Sequence, residues 1–407
     1  MKGIHRFAMP VFALCAASCL FTLSTGAAAA PAAPQLLFEQ INVEQGLSQS
    51  IVTNIMQDRR GYLWIGTEDG LNLYDGYGFS VLRTDPDNPH SLSYNQITAL
   101  YEDRAGSIWA GTFNGGLNRY LLEKNRFIRF RTAPADTSSL SNDLIYAIVQ
   151  DRAGQLWVGC DHGLNRMKNP HAAEGSGRFD RFFHSPGDKA SLRDDHVRAL
   201  AVDSIGTLWA GTDQGLAMLP AAELLHDKPR FTVPEMQEKE WNALAQDTIR
   251  TLMVDRSGAL WIGAVHGLHC LRREPGRPPR LQSFFHTPGN PRTLSNNHVY
   301  ALLEDAEGNI WVGTEGGLNR FDPRSGEFAA WLNDPRNPHS LSHNEIRSLF
   351  QDRPGLLWVG TYGGGVSKAD ARPKPFVHYR YLPEVPEGLS QPIIWSIYED
   401  ANGILWI

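Results

Sequence analysis

The chain repeats one phrase, Asp-x-x-Gly-x-x-Trp, eight times without a gap inside any copy, and this repetition limits the folds open to it. The eight tryptophans are Trp64, Trp109, Trp157, Trp209, Trp261, Trp311, Trp358 and Trp406. Consecutive tryptophans are 45 to 52 residues apart. That period matches one four-stranded blade of a β-propeller and exceeds most helical repeats. We therefore expect a series of similar units rather than one unrepeated core.

Each phrase has the composition of a β-hairpin. A short apolar run, such as residues 346–350, precedes the Asp and is typical of a buried strand. The Asp side chain can accept backbone amide hydrogens in a tight turn, and the Gly three residues later can adopt a positive φ. Trp then falls on the second strand, where its flat ring can fill the wedge between blades. A third strand after paired glycines and a fourth aromatic strand, such as residues 127–130, complete an all-β propeller of four-stranded blades.

The eighth repeat resembles the first more than its neighbours. Repeats one and eight both begin with Gly-Leu-Ser-Gln, at residues 46–49 and 388–391, whereas repeats two to seven mostly begin with Ser-Leu or Thr-Leu. This predicts a seven-bladed β-propeller over residues 36–374 and the first strands of a second propeller over residues 375–407. One eight-bladed ring is the alternative. We expect residues 38–43 to form the outer strand of blade seven beside the strand of Val366, because that pairing removes free sheet edges; residues 376–381 are the other candidates for this position.

Residues 1–30 have the composition of a secretory signal peptide. Lys2 and Arg6 form a basic start, residues 7–23 are mostly apolar, and residues 26–30 offer small side chains for cleavage. Two alternatives stay open: lipid modification at Cys19, or retention of the apolar run as a membrane anchor. No other stretch of the sequence is apolar enough to span a bilayer.

Charge and cysteine content exclude several classes of function. The formal net charge is −6, from 38 basic and 44 acidic residues, so nothing favours a nucleic-acid partner. Beyond the signal peptide the only cysteines are Cys160 and Cys270, which fall in the third and fifth repeats without zinc or haem spacing. We expect two unpaired thiols and no metal site.

The repeated residues are predicted to be structural rather than catalytic. A catalytic acid is needed once, so an Asp present in all eight turns is expected to stabilise those turns. The repeated Trp lacks the longer Asp-to-Trp spacing of quinone-dependent propellers, and the arginine triad of sialidases is not evident. His162 and His266 occupy the same turn position two repeats apart, and we interpret them as variable loop residues. The sequence therefore predicts no catalytic residue, no cofactor and no metal.

One register near the start of the innermost strands is unusually rich in arginine and tyrosine. Across seven blades it comprises Thr53, Thr98, Tyr146, Arg198, Arg250, Tyr300 and Arg347. Arginine forks suit carboxylate or sulfate groups, and tyrosine faces suit sugar rings. We predict an anionic or carbohydrate-like ligand bound near Tyr146, Arg198, Arg250, Tyr300 and Arg347. The alternative is that these side chains only bridge adjacent blades by hydrogen bonds.

The repeats resemble the two-component regulator propeller repeats. The resemblance rests on Leu-Ser-x-Asn-x-Ile followed by Asp-x-x-Gly-x-Leu-Trp-x-Gly-Thr-x-x-Gly-Leu-Asn-Arg; residues 140–166, 294–321 and 341–368 are clear copies. Repeats four and five depart most, with Ala217-Met218 in place of Asn-Arg, and Ala264 and His269 in place of Thr and Asn. The resemblance implies the periplasmic sensor region of a membrane receptor, followed by a cytoplasmic histidine kinase or diguanylate cyclase outside this chain.

Two classes of function stay open. The first is a periplasmic ligand-sensing propeller on the outer side of the inner membrane, which binds a small molecule or oligosaccharide, contacts the membrane only through parts outside the propeller, and forms a homodimer. The second is a secreted propeller enzyme acting on polysaccharide, a lyase or glycosidase.

Overall fold

The computed structural model describes residues 36–172, 176–234, 244–273, 276–372, 389, 391, 393–400 and 405–406. The signal-peptide prediction over residues 1–30 lies outside these ranges, as do residues 376–381 and Trp241. Among the described residues no helix is long and apolar enough to cross a membrane.

Seven antiparallel sheets form the blades, and strands follow chain order from the innermost to the outermost in all but blade seven, whose outermost strand comes from the N-terminal end. The strands of blades one to three are β2 (Val52–Gln57), β3 (Leu63–Thr67), β4 (Gly70–Tyr74), β5 (Phe79–Leu82), β6 (Ile97–Glu102), β7 (Ile108–Thr112), β8 (Leu117–Leu121), β9 (Arg126–Phe130), β10 (Ile145–Gln150), β11 (Leu156–Cys160), β12 (Leu164–Met167) and β13 (Phe179–Phe182). Two 3-10 helices, Val43–Gln45 and Leu122–Lys124, lie in connections.

The remaining blades continue the pattern. Their strands are β14 (Val197–Val202), β15 (Leu208–Thr212), β16 (Gly215–Leu219), β17 (Ile249–Val254), β18 (Leu260–Ala264), β19 (Gly267–Arg272), β20 (Arg280–Phe284), β21 (Val299–Glu304), β22 (Ile310–Thr314), β23 (Gly317–Asp322), β24 (Glu327–Trp331), β25 (Ile346–Gln351), β26 (Leu356–Thr361) and β27 (Val366–Asp370). Among the described residues of blade four, one antiparallel bridge between Met218 and Thr232 stands in the place of the fourth strand. The predicted propeller of four-stranded blades is therefore confirmed, with this local departure.

The ring is closed by the N-terminal strand β1 (Glu39–Ile41), which pairs with β27 in blade seven. Ile41 lies opposite Val366, and Glu39 lies opposite Lys368. The innermost strand of blade one, β2, packs against that of blade seven, β25. The predicted outer strand of blade seven is thus confirmed over residues 39–41, whereas Val43 begins a 3-10 helix, and the eight-bladed alternative is wrong.

Repeat eight contributes a two-stranded hairpin of β28 (Tyr398–Glu399) and β29 (Leu405–Trp406) to the described residues. The start of a second propeller over residues 375–407 stays a prediction.

Each complete blade is locked by a hydrogen bond inside the repeated phrase. In all seven blades the indole Nε1 donates to Oδ2 of the Asp six residues earlier, at 2.7–3.1 Å. Asp305 also accepts from the backbone amides of Glu307 and Asn309 through Oδ1, as expected of the turn. The seven tryptophans are at most 3% exposed. Trp311 packs with Ile346 and Leu349 of the next blade, which confirms the wedge interpretation.

An arginine covers several of the indoles, and blade four receives its arginine from a neighbour. Arg119 and Arg166 lie over Trp109 and Trp157 of their own blades, at 5.7 and 5.6 Å from the ring centroids. Blade four carries Met218 at the equivalent position. Arg273, which follows the third strand of blade five, takes the place of the missing arginine over Trp209. Its guanidinium lies 4.9 Å from the centroid of Trp209 and bonds to the carboxylate of Asp203.

Adjacent blades are also bridged at the Asp-turn end of the innermost strands. Arg59 donates to the carbonyl of Asp103 in the next blade at 2.8 Å, and the backbone amide of Arg59 donates to Glu102 at 3.0 Å. The same kind of arginine-to-carbonyl contact recurs from Arg104 to Arg152, from Arg256 to Asp305 and from Arg353 to Asp58. These bridges lie at the opposite end of the strands from the predicted ligand register.

The two cysteines are buried and unpaired, as expected.

Candidate ligand site in the central cavity

All seven residues of the predicted register line one central cavity of about 570 Å³. Each of them falls at a register shift between the first and second strands of its blade, of the kind that a β-bulge produces. A bulge inserts one unpaired residue and redirects its side chain. Because the bulge recurs at the same position in every blade, the side chain at that position lines the cavity in all seven blades.

The cavity is layered. Below the register, two residues further along each innermost strand, lies an aliphatic ring made of Ile55, Ile148, Leu100, Leu200, Leu252, Leu302 and Leu349, all of which line the same cavity. Beside the register, the first residue of each turn between the second and third strands is Glu68, Phe113, Asp161, Asp213, Val265, Glu315 or Tyr362. We call these three sets the register, the aliphatic ring and the turn ring.

Arg198 is fully engaged by its own blade. Its guanidinium forms a two-point ion pair with Asp213, with Nη2 and Oδ2 2.7 Å apart. Burial alone would raise the pKa of Asp213, but the hydrogen bond from Arg198 lowers it overall, and the same bond raises the pKa of Arg198. Arg198 also lies 4.7 Å from the ring centroid of Tyr146, whose hydroxyl donates to Asp161 at 2.8 Å. The hydrogen-bonding capacity of this pair is therefore largely used within the protein.

Arg347 is engaged in a similar way on the other side of the cavity. It forms an ion pair with Glu345, two residues earlier. Its guanidinium lies 4.1 Å from the ring centroid of Tyr300 in the preceding blade and 4.9 Å from that of Tyr362. Cation–π contacts of this kind hold the ring of Tyr300 against the cavity wall.

Arg250, between these two, has no such partner. Its guanidinium forms no ion pair with a carboxylate of the described residues. It lies 6.0 Å from the ring centroid of Tyr300. Blade five carries Val265 in the turn ring where blades three, four and six carry Asp161, Asp213 and Glu315. Burial lowers the pKa of Arg250, and the charges of Arg198 and Arg347 lower it further. The side chain is nevertheless exposed, so a bound anion can reach the guanidinium, which stays protonated in proteins.

Thus the structure gathers the five predicted residues at one cavity but gives them different roles. Arg198 and Arg347 lie over the rings of tyrosines in the preceding blades and form ion pairs, whereas Arg250 forms no ion pair with a described carboxylate. The ligand site and the alternative of bridging by hydrogen bonds both stay predictions. Sequence reasoning missed Val265, whose signal was present: it is the apolar member of a position that holds a carboxylate in four other blades, Glu68 included. It also missed the aliphatic ring, visible as an apolar residue two places after each register residue.

The histidines near the cavity are explained by local hydrogen bonds. His266 contacts Asp247 through Nδ1 at 2.9 Å, and His162 lies 5.1 Å from the ring of Phe183. Asp194, His196 and Asp213 place ligand atoms within 4.8 Å of one another. Because the ion pair with Arg198 already neutralises Asp213, we assign no metal to this group.

A model of the two-component regulator propeller family matches residues 46–69, 91–114, 139–162, 191–214, 293–316, 340–363 and 388–407. The chain is built from two-component regulator propeller repeats. Arg250 and Val265 lie between the fourth and fifth matched ranges, in the blade whose sequence departs most from the family pattern.

Solved structures share the architecture of this two-component regulator propeller. The extracellular domain of a putative hybrid two-component system from B. thetaiotaomicron superposes with a TM-score of 0.72 at 24% identity, over 91% of this chain and 46% of that one. Virginiamycin B lyase from Staphylococcus aureus superposes with a TM-score of 0.57 at 13% identity, over 83% of this chain and 99% of that one. At these identities the likeness establishes the propeller fold.

A curated relative is similar over a short stretch. It is a protein of Formosa agariphila described as histidine kinase P4, 46% identical over 57 residues, which are 14% of this chain and 4% of the relative. The chain therefore spans about half of the hybrid system's extracellular domain and a small part of the histidine kinase.

Proposed function

We propose that this two-component regulator propeller is the ligand-sensing part of an exported receptor, on the periplasmic side of the inner membrane, whose output is a cytoplasmic histidine kinase or diguanylate cyclase. The repeats support this, as do the names of two similar proteins, an extracellular domain of a hybrid two-component system and a histidine kinase. In this proposal the receptor works as a homodimer, which light scattering of the purified chain would test.

The ligand binds in the central cavity, and the observation that carries this step is the unpaired guanidinium of Arg250. A small anionic or carbohydrate-like molecule would meet Arg250 and the face of Tyr300, while Tyr146, Arg198 and Arg347 shape the remaining wall. The volume of about 570 Å³ is typical of pockets for small ligands.

Binding of acidic oligosaccharides and simple anions, measured by calorimetry on the purified chain, tests the site. Arg250→Ala should weaken binding of a confirmed ligand by tenfold or more, since it removes the free charge. Arg198→Ala should also weaken binding, because Asp213 and Tyr146 would lose their contacts with Arg198 and the cavity wall would change shape. If both variants stay folded and bind as tightly as the wild type, the register is structural and the site lies elsewhere.

The enzyme alternative, a polysaccharide lyase or glycosidase, gains no support from the cavity. Asp161, Asp213 and Glu345 are engaged by the cavity residues Tyr146, Arg198 and Arg347. Glu68 accepts from Gln96 and Glu315 pairs with His298, so each of these described carboxylates already has a partner, which does not favour an acid–base pair. The likeness to virginiamycin B lyase extends only to the fold.

A further inference from the structure

We propose that the cavity selects an amphipathic monocarboxylate, an anion with one carboxylate and a hydrocarbon body of about four to eight carbons. This rests on the proposed ligand-binding function and goes beyond it, because it names the chemistry that the cavity favours among anionic and carbohydrate-like molecules.

The charge of the ligand is limited to one group by the surroundings of Arg250. The guanidinium of Arg250 forms no ion pair, but carboxylates lie on both sides of blade five. Asp213 is in blade four, Glu315 is in blade six, and Glu345 precedes the first strand of blade seven. Of the three arginines in the register, two are already neutralised by ion pairs. A ligand with several negative charges would face these carboxylates, whereas a single carboxylate can meet the fork of Arg250 in a two-point contact.

The hydrocarbon body of the ligand is matched by the aliphatic ring. Leu252 and Leu302 lie two residues beyond Arg250 and Tyr300 on their strands and line the same cavity. Two residues of a strand advance by about 7 Å, so a chain of several methylenes spans from the guanidinium to the leucines. Burying such a chain between aliphatic side chains removes apolar surface from water.

On the wall formed by blades three, four and seven a sugar would find few free polar partners, and the unpartnered hydroxyls of Thr53 and Thr98 lie away from Arg250, in blades one and two. The hydroxyl of Tyr146 is bonded to Asp161, and Arg198 and Arg347 are paired with Asp213 and Glu345. Sugar hydroxyls placed in the aliphatic ring would lose their hydrogen bonds with water without replacement, which is costly.

Calorimetric titration of the purified chain with acetate, butyrate and hexanoate tests the inference, with hexanol and glucuronate as comparisons. We expect the affinity to rise about fourfold for each added methylene. Hexanol, which lacks the charge, should bind at least tenfold more weakly than hexanoate.

Two pairs of variants test whether the carboxylate of the ligand binds the guanidinium of Arg250, a contact that we call the head site. Each pair includes a control for changes elsewhere in the protein. Val265→Asp supplies blade five with the turn-ring carboxylate of its neighbours, and should pair with Arg250 and reduce hexanoate affinity at least tenfold. Val265→Asn has the same size without the charge and should keep most of the affinity. Arg250→Met should reduce the affinity as strongly as Val265→Asp does, whereas Arg280→Met, on the exposed outer strand of the same blade, should not.

The outcomes distinguish the inference from the function on which it rests. Tighter binding of glucuronate than of hexanoate, or anion binding that does not depend on chain length, would overturn the amphipathic ligand while leaving a ligand site at Arg250. Equal affinity of Val265→Asp and Val265→Asn would overturn the head site. If none of the anions binds the wild-type chain, the inference is wrong, and the titrations with acidic oligosaccharides described above decide the cavity site separately.

Discussion

Oδ2 of Asp305 accepts a hydrogen bond of 2.8 Å from Nε1 of Trp311, and both side chains are buried. The same carboxylate holds the turn through Oδ1, so one residue ties the hairpin turn to the indole that packs against the next blade. Because the arrangement recurs in all seven blades, the repeated phrase connects folding within a blade to contact between blades.

Trp311→Ala should lower the free energy of unfolding by roughly 3–5 kcal/mol, because it empties a buried site between two blades. Trp331 lies outside the repeated phrase, on the outer strand of blade six, with its ring centroid 5.4 Å from that of Trp311. Trp331→Ala should cost less, since this side chain is only partly buried. Denaturant titration of both variants measures the difference; equal losses would contradict the role given to the phrase.

Asp305→Asn should destabilise the chain by about 1–3 kcal/mol, because an amide cannot accept from both the turn amides and the indole. One face of the new side chain would present N–H groups either to Nε1 of Trp311 or to the backbone of the turn. Thermal unfolding measures the loss. Asp322→Asn is the matched control: this carboxylate, at the end of β23, also accepts from a turn amide but is exposed to water, so its replacement should cost less.

Arg273→Met should lower stability by about 1–2 kcal/mol, with a discount for the partial exposure of the arginine. The change removes the guanidinium over Trp209 and its bond to Asp203. Adding Met218→Arg to this variant places an arginine where blades two and three have theirs, and should recover part of the loss. Chemical denaturation of the single and double variants decides; no recovery would show that Arg273 acts through something other than its position over Trp209.

His269 predicts a pH dependence of stability. The side chain is 1% exposed, Nδ1 contacts the hydroxyl of Ser283 at 2.8 Å, and Nε2 is buried without a partner. Burial lowers the pKa of His269 from 6.5 to about 4. The unfolded chain therefore binds a proton between these values that the folded chain does not. The free energy of unfolding therefore does not suffer from His269 above pH 6.5, and it decreases as the pH falls from 6.5 toward 4.

At pH 4.5 the penalty from His269 should reach about 2–3 kcal/mol relative to pH 7. His269→Asn introduces the residue found at this position in four other blades, where Asn72, for example, accepts from the backbone amide of Ser48 at 2.9 Å. The variant should therefore lose less stability than the wild type between pH 7 and pH 4.5. Unfolding curves at both pH values test this; parallel losses would mean that His269 is protonated in the folded chain.

Much of the fold follows from the phrase because its residues act locally. Asp305 and Trp311 are six positions apart, and the turn and hairpin between them depend on little else. The pairing of 39–41 with blade seven could also be predicted, because a strand without inner partners must satisfy its edge. The single bridge between Met218 and Thr232, which takes the place of a fourth strand among the described residues of blade four, was not predicted.

The register of the candidate site was also predictable, because a repeat places equivalent residues at equivalent positions. The functional difference between its members was not. Arg198, Arg250 and Arg347 look alike in the sequence, yet only the middle one is left unpaired. Arg198 pairs with Asp213 of the turn ring, Arg347 pairs with Glu345 two residues earlier, and blade five has the apolar Val265 at the turn-ring position. Residues of the turn ring come close to the register only when the second strand folds back beside the first.

By itself the sequence determined the all-β class, the length of one blade, the role of the repeated Asp and Trp, and the ring of arginines and tyrosines; the choice between seven blades and eight came from the closure of the ring. These depend on periodicity and on contacts between residues that are near in the chain. The tertiary structure decided which arginine is free, that Arg273 crosses from blade five to serve Trp209, and that an aliphatic ring lies beneath the register. Those features depend on distances between blades, and such distances are set by packing around the whole ring, which a single repeat does not encode.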